Sequence, residues 1–171
     1  MCEISALQLK IRELAERLVV LCTKQGLTLG MADSCTGGLV AAAITDVPGS
    51  SAVFRGGIVS YANEIKENVL GVSSATLAAV GAVSEQTAAE MTNGARHVLS
   101  CDFSVATTGI AGPGGGTAEK PVGLVYLAVS SAKNGLLTCS RKLFEGNRAE
   151  VRIQTVYTAL EMLYHAVESD R

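Results

Sequence analysis

A serine attacks a carbonyl only when a neighbouring base takes its proton. Two histidines occur in the chain, His97 within a helix-like segment and His165 near the end, and neither stands in a turn or loop beside a serine. A lysine can do the same work where burial or nearby cations depress its pKa. Lys66 is the candidate. It closes the run Ser60-Tyr61-Ala-Asn63-Glu64-Ile-Lys66, in which Asn63 can cap a short helix and leave Lys66 in its first turn. A cation there opposes the helix dipole, a small cost when exposed. The plainer alternative is a solvated surface lysine. The serines that precede it by one strand length are Ser50 and Ser51 in Pro48-Gly-Ser-Ser51.

Three further segments could hold an anion. Asp33 to Gly38 follows a strand and opens a helix, where free N–H groups face outward. No Gly-Lys-Ser/Thr follows, so it is not a P-loop, and Ser34 as a simple helix cap is an equal alternative. Cys35 is weighed as a nucleophile because helix N-termini lower thiol pKa values, but small-residue packing suits it better. Thr107-Thr108-Gly109-Ile-Ala-Gly-Pro-Gly-Gly-Gly116 also follows a strand, and its successive N–H groups can form an anion-binding nest. Arg148 follows the capping residue Asn147, with Glu150 completing a capping-box pattern. A bound anion there would offset the unfavourable dipole.

The elements that must position these groups follow from periodicity. Ser5-Ala-Leu-Gln8 reads as a capping box, and Leu7, Ile11, Leu14, Leu18 and Leu21 then repeat at helical spacing until Gly26. Leu27–Ala32 reads as a strand, and an Ala-rich helix runs to about Asp46. Val53–Ser60 is a second strand, with Gly56 and Gly57 marking a bulge or a close backbone approach. Asn63 caps a helix through Leu70, and Ser84 a longer one through Leu99. Phe103–Thr107 is a strand. Val122–Ser130 and Leu136–Leu143 form a hairpin across Lys133-Asn-Gly135, and Asn147 opens the last helix, ending near Glu168. Strands and helices that alternate and then close with a hairpin argue an α/β layered domain on a mixed sheet, here one domain over residues 1–171.

Composition removes several classes of function. Of 171 residues, 48% are apolar and 18% charged, with 18 glycines, which excludes disorder and coiled coil and points to many tight turns. The net charge is −2 and there are seven Phe and Tyr and no Trp, so neither a basic field nor a stacking platform exists for nucleic acid. The longest charge-free stretch, Asn68 to Ser84, is broken by Gly71 and Gly81, which argues against a membrane span. Glu3, Lys10, Arg12 and Glu13 interrupt what would be a signal core. Five cysteines without a Cys-x-x-Cys, beside two histidines, supply little for a metal and fit a reduced cytoplasmic protein.

Seven segments in order, Ala32–Gly38, Pro48–Ser51, Ser60–Lys66, Gly81–Glu85, Gly109–Thr117, Lys120–Gly123 and Gly146–Arg148, resemble the signature of the CinA C-terminal domain family, in its stand-alone form the PncC-type nicotinamide-nucleotide amidohydrolases. The family usually has Glu at the position of Asp33. The resemblance implies a three-layer α/β/α sandwich on a mixed, mostly parallel sheet. It also implies hydrolysis of the carboxamide of nicotinamide mononucleotide to nicotinate mononucleotide and ammonia, in pyridine-nucleotide salvage, without metal or cofactor. Carried over by position, Ser51 (or its neighbour Ser50) is the nucleophile, Lys66 the base and Tyr61 a proton-transfer partner. Ser34, Thr108 and Gly109 line the site and Arg148 meets the phosphate or helps order the pocket. A homo-oligomer, a dimer, is expected, with no nucleic-acid or membrane partner. The alternative reading is a nucleotide-binding module of a competence or damage response, without catalysis.

Overall fold

The computed structural model describes residues 3–133 and 135–170, so Cys2 and Asn134, the latter at the centre of the expected hairpin turn, lie outside it. Helix α1 spans Glu3–Gln25, so it begins ahead of Ser5, and the expected capping box falls inside its first turns. Ile11, Leu14, Ala15, Leu18, Val19 and Cys22 form its buried stripe at three- and four-residue spacing. Strand β1 (Leu29–Asp33) leads to α2 (Leu39–Thr45), a single 3₁₀ turn (Ser50–Ala52) leads to β2 (Phe54–Val59), and α3 (Asn63–Asn68) follows. Asn63 is the first helical residue rather than the cap, which falls on Ala62 without a side-chain bond. Then come α4 (Ser74–Val80), α5 (Glu85–Val98), β3 (Phe103–Gly109), β4 (Leu124–Ser131), β5 (Leu137–Leu143) and α6 (Arg148–Ser169).

Among the described residues the five strands form one sheet in the order β2-β1-β3-β4-β5. The pairings β1–β2 and β1–β3 are parallel, whereas β3–β4 and β4–β5 are antiparallel. Only β4 therefore runs against the other four, so the sheet is mixed and mostly parallel. The register skips a residue between Leu29↔Phe54 and Gly30↔Gly56, which puts an irregularity at Arg55 and Gly56. Gly57 is a close approach: a Cβ there would stand 2.7 Å from the Ala41 Cβ of α2.

Alternation along β3 separates two cores. Phe103 and Val105 face α1, α2 and α6, where Leu18, Met31, Ile44, Leu160 and Leu163 complete the larger cluster. Ala106 faces α5, with Ala32, Leu70, Met91 and Ala95. Helices thus cover both faces of the sheet, giving the three-layer sandwich. Gly94 of α5 lies so close to the chain after α3 that a Cβ there would stand 1.8 Å from the Leu70 carbonyl oxygen.

Candidate active site

The site is set by strand register. Asp33, the last residue of β1, pairs with Val59 on one side and Thr107 on the other. Ser60 N–H donates to the Asp33 carbonyl at 2.9 Å, and Ser34 N–H to that of Thr107 at 3.0 Å. Three parallel strands therefore deliver Ser34, Ser60 and Thr108 to one end of the sheet, where open α/β folds bind ligands.

Ser34 does not cap α2. The cap position falls on Gly38, in the left-handed region at φ 94°, without a side-chain bond, and the Ser34 hydroxyl is free to face elsewhere. It faces Lys66. That side chain is 1% exposed, and its Nζ stands 3.0 Å from Ser34 Oγ, 2.6 Å from the Ser60 carbonyl oxygen and 3.4 Å from that of Tyr61. Burial pushes the amine below the usual lysine range, only partly offset by Cys35 nearby. No carboxylate forms an ion pair with it among the described residues.

These groups open onto a cleft of about 230 Å³ lined also by Tyr61, Asn63, Val83, Thr108, Gly109 and Arg148. Thr108 is fixed by donation of its hydroxyl to the Ala82 carbonyl at 2.7 Å. Asn147 and Glu150 form the expected capping box, and Arg148 opens α6. Its guanidinium donates to the Tyr61 hydroxyl at 3.2 Å and to the Gly112 carbonyl at 2.9 Å, so it spans the mouth from β2 to the glycine-rich loop. Cys35 also borders the cleft, but burial pushes its thiol up to about 11, which disfavours the thiolate a nucleophile requires.

Of the residues singled out from sequence, Ser34, Tyr61, Lys66, Thr108, Gly109 and Arg148 meet in this cleft. Ser50 and Ser51 do not. They lie before β2, whereas Lys66 lies beyond its other end, and six residues of strand separate the two by roughly 20 Å. The serine beside Lys66 is Ser34. Asn63 was read only as a helix cap, and Arg152 was not singled out. The signal for Arg152 is its spacing from Arg148, one helical turn later on the same face, and its Nη2 donates to the Thr36 carbonyl at 2.7 Å.

A buried lysine amine against a serine hydroxyl, at the strand ends of an α/β/α sandwich, can accept that hydroxyl's proton when neutral. Comparison with known proteins agrees on the fold and identifies the family. The profile of the CinA C-terminal domain matches residues 11–167, and the chain belongs to that family. It is 54% identical over 142 residues to a CinA-like protein of Geobacter sulfurreducens, a stretch covering 82% of this chain and 33% of that one. The crystal structure of the competence/damage inducible protein CihA from Agrobacterium tumefaciens superposes with a TM-score of 0.89 at 49% identity, covering 93% of this chain and 96% of the other. A CinA superfamily protein from Klebsiella pneumoniae gives 0.88 at 34% identity, covering 93% and 98%. The chain spans about a third of the length of the curated relatives it matches. No helix among the described residues is long and apolar enough to cross a membrane.

Proposed function

We propose that this chain is an amidohydrolase that deamidates nicotinamide mononucleotide to nicotinate mononucleotide and ammonia, with Ser34 as nucleophile and Lys66 as its base. The observation that carries the reading is the 3.0 Å approach of a buried lysine Nζ to Ser34 Oγ. A neutral lysine amine has two hydrogens and one lone pair. The carbonyls of Ser60 and Tyr61 accept the two hydrogens, which leaves the lone pair for the Ser34 O–H. Ser34 Oγ then attacks the carboxamide carbon while its proton passes to Lys66. The ammonium so formed returns that proton to the departing nitrogen, ammonia leaves, and an ester to Ser34 remains. Water attacks the ester by the same relay, giving the carboxylate and restoring Ser34.

The surrounding groups suit the remaining tasks. The Thr36 N–H donates to no protein acceptor among the described residues and lies in the turn that Ser34 opens, where oxyanion donors are needed. Arg148 at the rim suits the phosphate, and its bond to Tyr61 occupies a lone pair of that hydroxyl and leaves its O–H to donate into the cleft. Nothing in this scheme calls for a metal, and no cluster of three potential ligands occurs among the described residues.

The test is ammonia release from nicotinamide mononucleotide by the purified protein in EDTA. Turnover is expected, with Ser34→Ala lowering kcat by about 10³-fold or more and Ser51→Ala leaving it within about twofold. Binding without turnover would favour a nucleotide-binding module. A loss in Ser51→Ala matching that in Ser34→Ala would return the nucleophile to Ser51.

A further inference from the structure

Two ionisable side chains grip the turn that carries Ser34, and neither lines the cleft. Asp33 is 1% exposed. Its Oδ1 accepts from the Thr36 hydroxyl and from Val40 N–H at 3.4 Å. From the opposite side, α6 sends Arg152 Nη2 to the Thr36 carbonyl at 2.7 Å. Thr36 is thus held by its side chain and by its backbone at once, and its hydroxyl also meets that of Thr107 at 2.8 Å. Gly37 lies in the left-handed region at φ 62°, which favours glycine at this point of the turn. The turn itself closes through Gly37 N–H to the Ser34 carbonyl at 3.0 Å.

Both gripping side chains carry an orphan. Asp33 Oδ2 and Arg152 Nε are buried without a hydrogen-bond partner. Leaving a polar atom in that state is destabilising, so the arrangement does not serve stability. What the pair supplies is a fixed geometry for the turn.

We propose that Asp33 and Arg152 are positioning residues that clamp the Ser34–Gly38 turn and hold Ser34 Oγ against Lys66 Nζ; the proposal rests on the reading of Ser34 as nucleophile. Ser34 sits between Asp33 and Thr36, so loss of either grip frees the backbone on one side of it. A displacement of about 1 Å at a reacting atom costs about 10²-fold in rate.

The test reads Ser34 directly, without an amide substrate. A fluorophosphonate probe is reacted with the whole chain, and modification of Ser34 is followed by peptide mass spectrometry. Asp33→Ala and Arg152→Met are each expected to slow labelling by about 10²-fold. The double variant should lose no more than about threefold beyond that, because both grips act on one turn. Arg152→Lys, which keeps a donor, should recover at least about tenfold. Equilibrium binding of nicotinamide mononucleotide should stay within about twofold throughout, since neither side chain lines the cleft. Arg152 is only partly buried, so its variants are expected to fold, and Thr36→Val, which removes the hydroxyl that Asp33 holds, substitutes for Asp33→Ala if that one does not. Wild-type labelling rates in Arg152→Met overturn the proposal, as does an Arg152→Lys protein no faster than Arg152→Met. If the wild-type probe adduct lands on Ser51 and not Ser34, the nucleophile assignment itself has failed.

Discussion

Lys66 can act as a base only while its amine is neutral, and burial favours that form. The rate should therefore rise with pH as the amine loses its proton, with a midpoint below the ordinary lysine value. Lys66→Arg should not restore turnover, because guanidinium stays protonated. The same burial makes a stability prediction whose sign can be worked out. The folded-state pKa lies below the unfolded one, so between the two values the unfolded chain binds the extra proton. Native stability thus rises with pH across that window, and below it the full penalty of a buried cation applies. Lys66→Met should be inactive and yet more resistant to urea than wild type at pH 7, with the gap narrowing toward pH 10. A variant that is less stable at pH 7 would mean that the ammonium is well satisfied by its carbonyl partners. The expected place of Lys66 and Arg148 in the first turns of helices marked both as groups needing a task, and the family resemblance supplied Tyr61. Choosing between Ser34 and Ser51 required knowing which end of a strand each one occupies, and sequence distance is nearly silent on that: Ser51 is 15 positions from Lys66 and Ser34 is 32.

Elements whose signals are local were legible. The Asn147 and Glu150 capping box and the Ser84 cap, which accepts from Thr87 N–H, appear where residue chemistry put them. Helix α4 was missed because it buries none of its residues and so has no apolar stripe to display. The capping pattern at Ser5 misled because a helix already under way can contain the same four residues. Gly94 is a case where local and tertiary rules conflict. In a helix interior, Gly→Ala normally stabilises by about 1 kcal/mol. Here the added Cβ would meet the Leu70 carbonyl oxygen at 1.8 Å, and that carbonyl belongs to the chain just after Lys66. Overpacking of this kind costs about 1–3 kcal/mol, occasionally more. Gly94→Ala should therefore destabilise, measured as a lower urea midpoint with unchanged slope. It should also reduce kcat by pushing α3 and Lys66 away from Ser34. A more stable Gly94→Ala protein would show that α5 and the Leu70 segment can separate without cost.

At the scale of the whole molecule, the sheet joins one core shared by α1, α2 and α6 to a smaller one under α5, and the site sits at the strand ends between them. The alternation of elements made the layers readable, whereas the strand order depended on crossovers that no local pattern records. The four cysteines among the described residues sample these regions. Cys22 lies in the α1 core, Cys35 beside the cleft, Cys101 before β3 and Cys139 on the edge strand β5. Burial pushes Cys22 up to about 12 and Cys101 up to about 11, so both are inaccessible and protonated at neutral pH. Cys139 is half-buried, and burial also raises its pKa. Among these four, iodoacetamide under native conditions at pH 8 should therefore modify Cys139 first, without loss of activity, while Cys22, Cys35 and Cys101 wait for unfolding. If the two cores open together, those three thiols should become reactive over one common urea transition, as expected of a domain this size. Mass-spectrometric mapping of each cysteine against urea distinguishes the outcomes. Reactivity of Cys35 at lower urea than Cys22 would mean that the strand ends around Ser34 loosen before the α1 core, and activity should then be lost ahead of global unfolding.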